Sequence, residues 1–180
     1  NRVMAVDAKA VWKDNKVTVT SPKKGTAYDT SKIQAELSNQ LAADSIQLTA
    51  KVKTPLTKNS AAVKNEVAAL KKLSNKKITY KVENKSYTLT SDDIITKATY
   101  QNGQYQFDTA ALDQEIAKIN KAQSTLGKSF KFKTHAGNTI TTSAQGSYGW
   151  RISTTKATKT LTDALLKGTT SVSAKADVYG

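Results

Sequence analysis

Four stretches of the chain repeat apolar residues every three or four positions, which is the spacing of one face of an α-helix. Each follows a polar residue that can accept hydrogen bonds from the first free amides of a helix. The clearest stretch begins at Ser60, and the last one ends at Gly168, a typical helix-ending residue. A shorter helix is predicted from Ser91 and should bury Ile94 and Ile95. The predicted apolar stripes are Ile33, Leu37 and Leu41; Val63, Val67, Leu70 and Leu73; Leu112, Ile116 and Ile119; and Ala157, Leu161 and Leu165.

Between these helices, apolar and polar residues alternate, as expected of half-buried strands. Single strands are predicted over residues 46–52 and 172–178. Turn residues divide the other alternating segments into hairpins. The predicted turns lie at Asp14 and Asn15, at residues 83–86, at Asn102 and Gly103, and within residues 134–138. Because short helices alternate with hairpins, the sequence predicts an α+β fold in which short amphipathic helices pack on antiparallel hairpins and a mixed sheet.

The charge of the chain narrows the class of partner. The net charge is +14, and of the 28 basic residues only Arg2 and Arg151 are arginine. Surfaces that read bases or clamp phosphates favour the planar guanidinium, so specific nucleic-acid binding is not expected. Dispersed lysine predicts a solvated coat that keeps the protein soluble or attracts polyanions without geometric selection. Among polyanions, teichoic acid or an acidic glycan fits this pattern better than DNA.

Few residues are arranged as catalytic or metal-binding groups. The absence of cysteine excludes disulfides, thiol catalysis and thiolate metal sites in this segment. His135 is the only histidine, and Asp92 and Asp93 are more simply explained as the start of a helix than as a calcium loop. We expect the other acids at helix caps, turns and lysine-rich helix faces. No apolar run is long enough to span a membrane. The sequence therefore predicts a non-catalytic segment without a cofactor, although a cryptic hydrolase stays open.

An ordered set of features lies between residues 99 and 168. An aspartate-initiated helix, "FDTAALDQEIAKIN", is followed by "FKFKTHAG", by "SYGWRI" and by a helix that ends in glycine. The fingerprint residues are Phe132, Thr134, Gly137, Tyr148, Gly149 and Trp150. This set resembles the peptidoglycan-binding domain that precedes the catalytic domain of Gram-positive L,D-transpeptidases and recurs in VanW-like surface proteins. The resemblance covers residues 58–180. Residues 1–57 are interpreted as a β-α-β segment that ends a preceding related module, since "GTAYDTSKIQAEL" is similar to the helix-opening segment.

The resemblance implies an extracellular location at the cell wall of a Gram-positive bacterium. It implies peptidoglycan or an anionic wall polymer as partner, and a catalytic domain downstream in the same polypeptide. The transpeptidase active site of such proteins is a histidine–glycine–cysteine segment, which is absent here, so no catalytic residue is carried over. The alternative is a structural or adhesive surface domain, of surface-layer or adhesin type, without wall-specific binding.

The stretch "QGSYGWRIS" holds one of only two tryptophans. In an extended strand, Trp150 and Ile152 point to one face, together with the preceding tyrosine, and Arg151 points to the other. We expect Trp150 to anchor the core rather than to serve as a glycan platform, and Gly149 to permit a close approach of backbone. Arg151 could bind a carboxylate or phosphate, or pair with a neighbouring aspartate. The candidate contacts to glycan, peptide or polyanion are Arg151, Lys133, Lys131 and Tyr148.

Overall fold

A computed structural model of the chain describes residues 2–41, 48, 51–142 and 149–179. Within these residues, helices and strands occur in the mixed order expected of an α+β fold, which confirms the predicted class. The helices are Thr30–Gln40 (α1), Ala61–Lys71 (α2), Ser91–Ile94 (α3), Ala110–Gln123 (α4) and Thr154–Lys167 (α5). The strands are Ala10–Lys13 (β1), Lys16–Val19 (β2), Lys77–Val82 (β3), Lys85–Thr90 (β4), Lys97–Gln101 (β5), Gln104–Asp108 (β6), Lys131–Lys133 (β7), Thr139–Thr141 (β8), Arg151–Ile152 (β9), Ser171–Ser173 (β10) and Val178–Tyr179 (β11).

The described strands pair into four sheets. The largest is antiparallel with the order β2-β1-β5-β6, and Trp12 of β1 lies opposite Ala98 of β5. A mixed sheet has the order β10-β3-β4, in which β10 runs parallel to β3 and β4 runs antiparallel to it. Strands β9 and β11 form one two-stranded antiparallel sheet, and β7 and β8 form another. The pairing of β1 with β5 joins the N-terminal hairpin to the sheet of the following segment.

The predicted hairpins are confirmed, and the turn residues explain their geometry. The turns of β1–β2 and β5–β6 place both central residues at positive φ (Asp14 51°, Asn15 56°, Asn102 52°, Gly103 75°). Such turns twist in the same sense as the strands they join, and aspartate, asparagine and glycine adopt them most easily. The β3–β4 turn is shorter than predicted. It contains only Glu83 and Asn84, because Ser86 already lies in β4 opposite Lys81.

One hydrophobic core lies between the helices and the two larger sheets. The stripes predicted for the helices at 61–71, 110–123 and 154–167 contribute to it, as do Ile94 and Ile95. No role could be predicted for Trp12 from its sequence context. In the structure it is fully buried, and its Nε1 donates to Ser74 Oγ at 2.8 Å. The largest fully buried side chains are Trp12, Tyr80, Leu70, Leu73, Ile78, Ile94, Ile95, Leu112, Ile116, Ile152, Leu161 and Val63.

Helix α1 does not bury its predicted apolar stripe. The helix forms where expected, and Asp29 Oδ1 accepts from Lys32 N–H as its cap. No residue of α1 is buried, and Leu37 and Leu41 are 38% and 70% exposed. The stripe of α5 differs because α3 and α4 pack against α5. The prediction of a helix is therefore confirmed for α1, and the prediction of its packing is wrong.

The predicted strand over residues 172–178 is wrong as a single element. Strand β10 pairs with β3, a 3₁₀ turn follows at Ala174–Ala176, and β11 then pairs with β9. The turn moves the chain from one sheet to the other and buries Ala174 and Asp177. Of the strand predicted over residues 46–52, positions 46, 47, 49 and 50 lie outside the described residues. Leu48 is exposed and outside any strand, while Val52 forms an isolated antiparallel bridge with Tyr28.

The same local arrangement occurs at both ends of the chain. Asp29 caps α1 and donates its backbone N–H to Lys51 O at 2.8 Å, beside the bridge of Tyr28 with Val52. At the other end, a serine caps α5 and donates its N–H to the carbonyl of Asp177 at 2.8 Å, beside the pair of β9 and β11. In both cases an extended residue leads into a capped helix, and the chain then returns antiparallel to that residue.

Candidate functional site

The hairpin β7–β8 holds two of the predicted contact residues. Lys131 and Lys133 lie two positions apart on β7, so both side chains point to the same face, where they are exposed. Their neighbours across the hairpin are Thr141 and Thr139. The structure therefore brings these two lysines together on a polar, exposed face.

The opposite face of this hairpin carries three apolar side chains, which we call the hairpin patch: Phe130, Phe132 and Ile140. Phe132 lies directly opposite Ile140, and the rings of Phe130 and Phe132 have centroids 6.5 Å apart. Phe130, Phe132 and Ile140 remain 38%, 57% and 56% exposed. A strand face with this pattern usually packs on a core, so an exposed one marks a surface that is available for contact.

The turn of this hairpin accounts for two fingerprint residues. Thr134 Oγ1 accepts from Asn138 N–H at 3.1 Å, and Thr134 N–H donates to Asn138 O at 2.8 Å. Gly137 has φ +83°, and its N–H donates to Thr134 O at 2.9 Å. His135 is exposed within this turn, and the described residues contain no group of three or more potential metal ligands. Thr134 and Gly137 therefore shape the turn.

Gly149 makes the predicted close approach of backbone. Its φ is +126°, and a Cβ at this position would lie 2.5 Å from Leu126 N and 2.6 Å from Thr125 C. The next residue, Trp150, accepts from the N–H groups of Thr125 and Leu126 at 3.0 and 3.2 Å and donates its own N–H to Thr125 Oγ1. Glycine is required here because the loop after α4 is clamped against this strand.

The predicted core position is confirmed for Ile152, whereas Trp150 is half-buried at the edge of the core. Ile152 is held by the buried Asn120 of α4, whose Oδ1 accepts from Ile152 N–H at 2.8 Å and whose Nδ2 donates to Ile152 O at 3.0 Å. Because β9 is only two residues long, this side chain acts as an additional strand partner for it. Sequence reasoning missed Asn120, because a single polar residue on an apolar helix face gives no sign that its side chain bonds to a distant strand.

Arg151 is exposed on β9, opposite Tyr179 of β11. Among the described residues it forms no ion pair, so the predicted alternative of a neighbouring aspartate is not observed there. Arg151 and the lysines of β7 lie in different two-stranded sheets. Tyr148, the fourth predicted contact residue, lies outside the described residues.

Most basic side chains of the described part have no carboxylate partner. Only two pairs lie within 4 Å in that part, Lys118 with Glu115 at 2.6 Å and Lys159 with Asp163 at 2.9 Å. The hydrogen bond that Lys118 donates to Glu115, and the negative charge of Glu115, raise the pKa of the Lys118 ammonium. In each pair an exposed lysine contacts an acid on the neighbouring turn of its own helix, which is α4 for the first pair and α5 for the second. The lysine coat therefore consists largely of solvated charges.

Two acids in the described part of the chain are buried, although the sequence predicts solvated acids at caps, turns and lysine-rich helix faces. Asp177 is 2% exposed, and its Oδ2 and Oδ1 accept from Tyr80 Oη at 2.8 Å and Thr160 Oγ1 at 2.6 Å. Burial, then this hydrogen bond and the nearby negative charge, raise the pKa of Tyr80 well above its ordinary value. This network links β3, α5 and the last turn. Glu66 of α2 is the second buried acid, with 8% exposure, and its Oε2 accepts from Ala10 N–H at 2.8 Å.

Glu66 lines a cleft of about 710 Å³ between α2, the segment before β1 and the β5–β6 turn. Asp7, Asn65, Lys72, Tyr100 and Asn102 also line it. Sequence reasoning missed this cleft because its walls come from three distant segments.

Comparison with known proteins gives two similar solved structures. Neither a family model nor a curated protein matches the chain. A crystal structure of a mutant Enterococcus faecium L,D-transpeptidase has a TM-score of 0.43 and 27% identity, covering 63% of this chain and 45% of that chain. The Ldtfm–avibactam carbamoyl enzyme has a TM-score of 0.45 and 28% identity, covering 65% of this chain and 46% of that chain. The chain thus spans less than half the length of either structure. No described helix is long and apolar enough to cross a membrane.

Proposed function

We propose that the chain is a non-catalytic extracellular module that binds or spaces against the bacterial cell wall. Its ligand is peptidoglycan, with an anionic wall polymer such as teichoic acid as an additional partner. The observation that carries this proposal is the β7–β8 hairpin, which exposes the hairpin patch on one face and Lys131 and Lys133 on the other.

The two faces of the hairpin suit a wall polymer. Aromatic side chains offer flat apolar contact area at low entropic cost, which fits the apolar faces of sugar rings. Lysines on the other face, together with a net charge of +14, attract carboxylates of stem peptides or phosphates of teichoic acid. The charge contribution is long-ranged and weakens with salt, whereas the apolar contact does not depend on ionic strength in this way.

The sequence resemblance supports the wider setting. We propose that the chain belongs to an L,D-transpeptidase polypeptide of a Gram-positive bacterium, with the catalytic domain downstream. We further propose that residues 1–57 end a preceding related module and that residues 58–180 form the binding domain, with β1 of the first segment completing a sheet and the core of the second. The repeated cap, helix and return bridge at the two ends of the chain supports this relation, as does the apolar stripe of α1, which is exposed where that of α5 is covered.

A pull-down with purified sacculi tests the proposal, with and without teichoic acid and across a series of salt concentrations. Wild-type protein should bind sacculi at low salt. Phe132→Ala should weaken binding at least about fivefold without lowering the melting temperature, because Phe132 is exposed and contributes little to the core. Leu166→Ala is the matched control, since Leu166 is 44% exposed and belongs to α5 rather than to the hairpin, and it should bind like the wild type.

Absence of sacculus binding by the wild type at low salt would contradict the proposal. The alternative is a structural or adhesive surface domain, and it is favoured by the other exposed apolar residues near the N-terminus, such as Val3 and Met4. Ordered self-association, or binding to a host glycan without affinity for sacculi, would support that alternative.

A further inference from the structure

We propose that the cleft beside α2 is a second binding site, separate from the hairpin patch, and that it takes an uncharged saccharide carrying hydroxyl and acetamido groups. This inference rests on the proposed function for the choice of glycan. The cleft itself requires neither the hairpin patch nor the lysine coat.

The cleft lies between three segments of the chain. Helix α2 contributes Asn65 and Lys72, the β5–β6 hairpin contributes Tyr100 and Asn102, and the segment before β1 contributes Asp7. A volume of about 710 Å³ lies within the range of about 300–1,000 Å³ that is usual for ligand sites. The small side chains of α2 that line it, Ala62, Ala68 and Ala69, leave room for a ring to approach the helix.

Glu66 provides the strongest chemical signal in this cleft. The residue is 8% exposed, and one carboxylate oxygen accepts from Ala10 N–H at 2.8 Å. The other oxygen, Oε1, has no partner among the described residues, yet it is not a buried unsatisfied atom, so it meets solvent in the cleft. A fixed carboxylate with one free oxygen is a strong acceptor for a hydroxyl or amide donor of a ligand.

The charges in the cleft disfavour the polyanions that the rest of the surface attracts. Asp7 and Glu66 are opposed by one lysine, Lys72, so the lining is locally acidic in a chain of net charge +14. Asp7 is also fixed, because its Oδ1 accepts from Leu56 N–H at 2.7 Å. An anionic polymer would meet like charge here, whereas an uncharged sugar can donate to the carboxylates and accept from Lys72 and from the amide of Asn65.

An aromatic side chain completes the saccharide-type lining. Tyr100 is half-buried in the cleft wall, and its ring centroid lies 4.6 Å from that of Tyr105. Tyr105 is in turn fixed, since its Oη donates to Ala69 O at 2.9 Å and its ring stacks on Phe107 at 5.5 Å. Burial, followed by the influence of Tyr100, raises the pKa of Tyr105 further above physiological pH. The Tyr100 ring is therefore held in place for contact with a sugar face.

The test is an NMR titration of the ¹⁵N-labelled chain with tetra-N-acetylchitotetraose. Saturable shifts are expected at the amides of residues 65–72 and 100–103. Glu66→Gln keeps a carbonyl oxygen for Ala10 N–H and places an NH₂ group where Oε1 stood, so binding should weaken about tenfold or more. Glu115→Gln removes the same charge from an exposed ion pair on α4 and should bind like the wild type.

A second variant keeps the test decisive if Glu66→Gln fails to fold. Ala68 is exposed and lines the cleft, so Ala68→Arg fills the space without burying a charge and should abolish the shifts. Unchanged affinity in either folded variant, or shifts outside the cleft only, would overturn the inference. Binding of Nα-acetyl-lysine methyl ester in place of the saccharide would overturn the assignment of the ligand class.

Sacculus binding and saccharide binding report on different claims. Sacculus binding without shifts in the cleft would overturn this inference and leave the proposed function standing. Saccharide shifts in the cleft by a protein that does not bind sacculi would support the cleft and contradict the proposed function.

Discussion

Replacing Tyr80 by phenylalanine tests the buried network around Asp177. The change removes one hydroxyl and keeps the ring in the core, where Tyr80 is fully buried. The lost hydrogen bond to Asp177 is 2.8 Å long and reaches a carboxylate that is 2% exposed. Hydrogen bonds to charged groups contribute about 1.5–3 kcal/mol, and the free energy of unfolding at pH 7 should fall by this amount.

The pH dependence gives a sharper test than the value at pH 7. Burial and the contact with Asp177 raise the pKa of Tyr80 in the folded protein, whereas an unfolded tyrosine titrates near pH 10. Below pH 10 both states keep the proton, and the full stabilisation is present. Above pH 10 the unfolded state releases a proton that the folded state retains, so stability is lost as the pH rises. The loss is about 1.4 kcal/mol at pH 11.

The assay is urea unfolding of the wild type and Tyr80→Phe between pH 7 and pH 11. The other tyrosines and lysines titrate in both proteins, so their contributions cancel in the difference between the two free energies. That difference should be constant up to about pH 9 and should then narrow by about 1.4 kcal/mol at pH 11. Tyr28→Phe, which changes an exposed tyrosine, is the matched control and should follow the wild type. A difference that stays constant to pH 11 would refute the linkage between Tyr80 and the buried carboxylate.

The remaining predictions concern packing and backbone geometry. Trp12→Ala should lower the free energy of unfolding by about 3–5 kcal/mol, because Trp12 is fully buried. Trp150→Ala should cost only about 1–3 kcal/mol in the same urea assay, because Trp150 is only half-buried and the substitution therefore removes less buried apolar area. Equal costs for the two tryptophans would contradict this ranking. Gly149→Ala should cost at least about 2 kcal/mol from clash and strain. Gly137→Ala, at a positive φ with open space around it, should cost about 1 kcal/mol, and a larger loss than for Gly149→Ala would be evidence against the clamped loop.

Local patterns were sufficient for most of the secondary structure. The stripe Leu112, Ile116 and Ile119 has the helical period, and positions such as Asn102 and Gly103 adopt positive φ at small cost, so these elements form almost regardless of context. The last strand was predicted wrongly because Asp177 is drawn into the interior by hydroxyls from β3 and α5, a contact that no local pattern contains. The extent of burial followed local pattern less well, since α1 and α5 have similar stripes, yet no residue of α1 is buried, whereas α3 and α4 pack against α5.

The candidate contact residues also show which features local sequence predicts and which depend on the fold. The alternation of Lys131 and Lys133 with Phe130 and Phe132 predicts that one hairpin face is basic and the other apolar. That the apolar face remains exposed follows only from the position of the hairpin in the fold. Arg151 carries the same positive charge as these lysines but lies in another sheet.

The sequence by itself determined the α+β class, the hairpin turns, the places where most helices begin and a dispersed positive charge, because each depends on residues within a few positions of one another. Only the tertiary structure decided that Trp12 rather than Trp150 fills the core, and that Glu66 and Asp177 are buried. The cleft beside α2 is also a product of the fold. These features bring together residues from segments far apart in the chain, and burial depends on what packs against a side chain rather than on its neighbours in sequence.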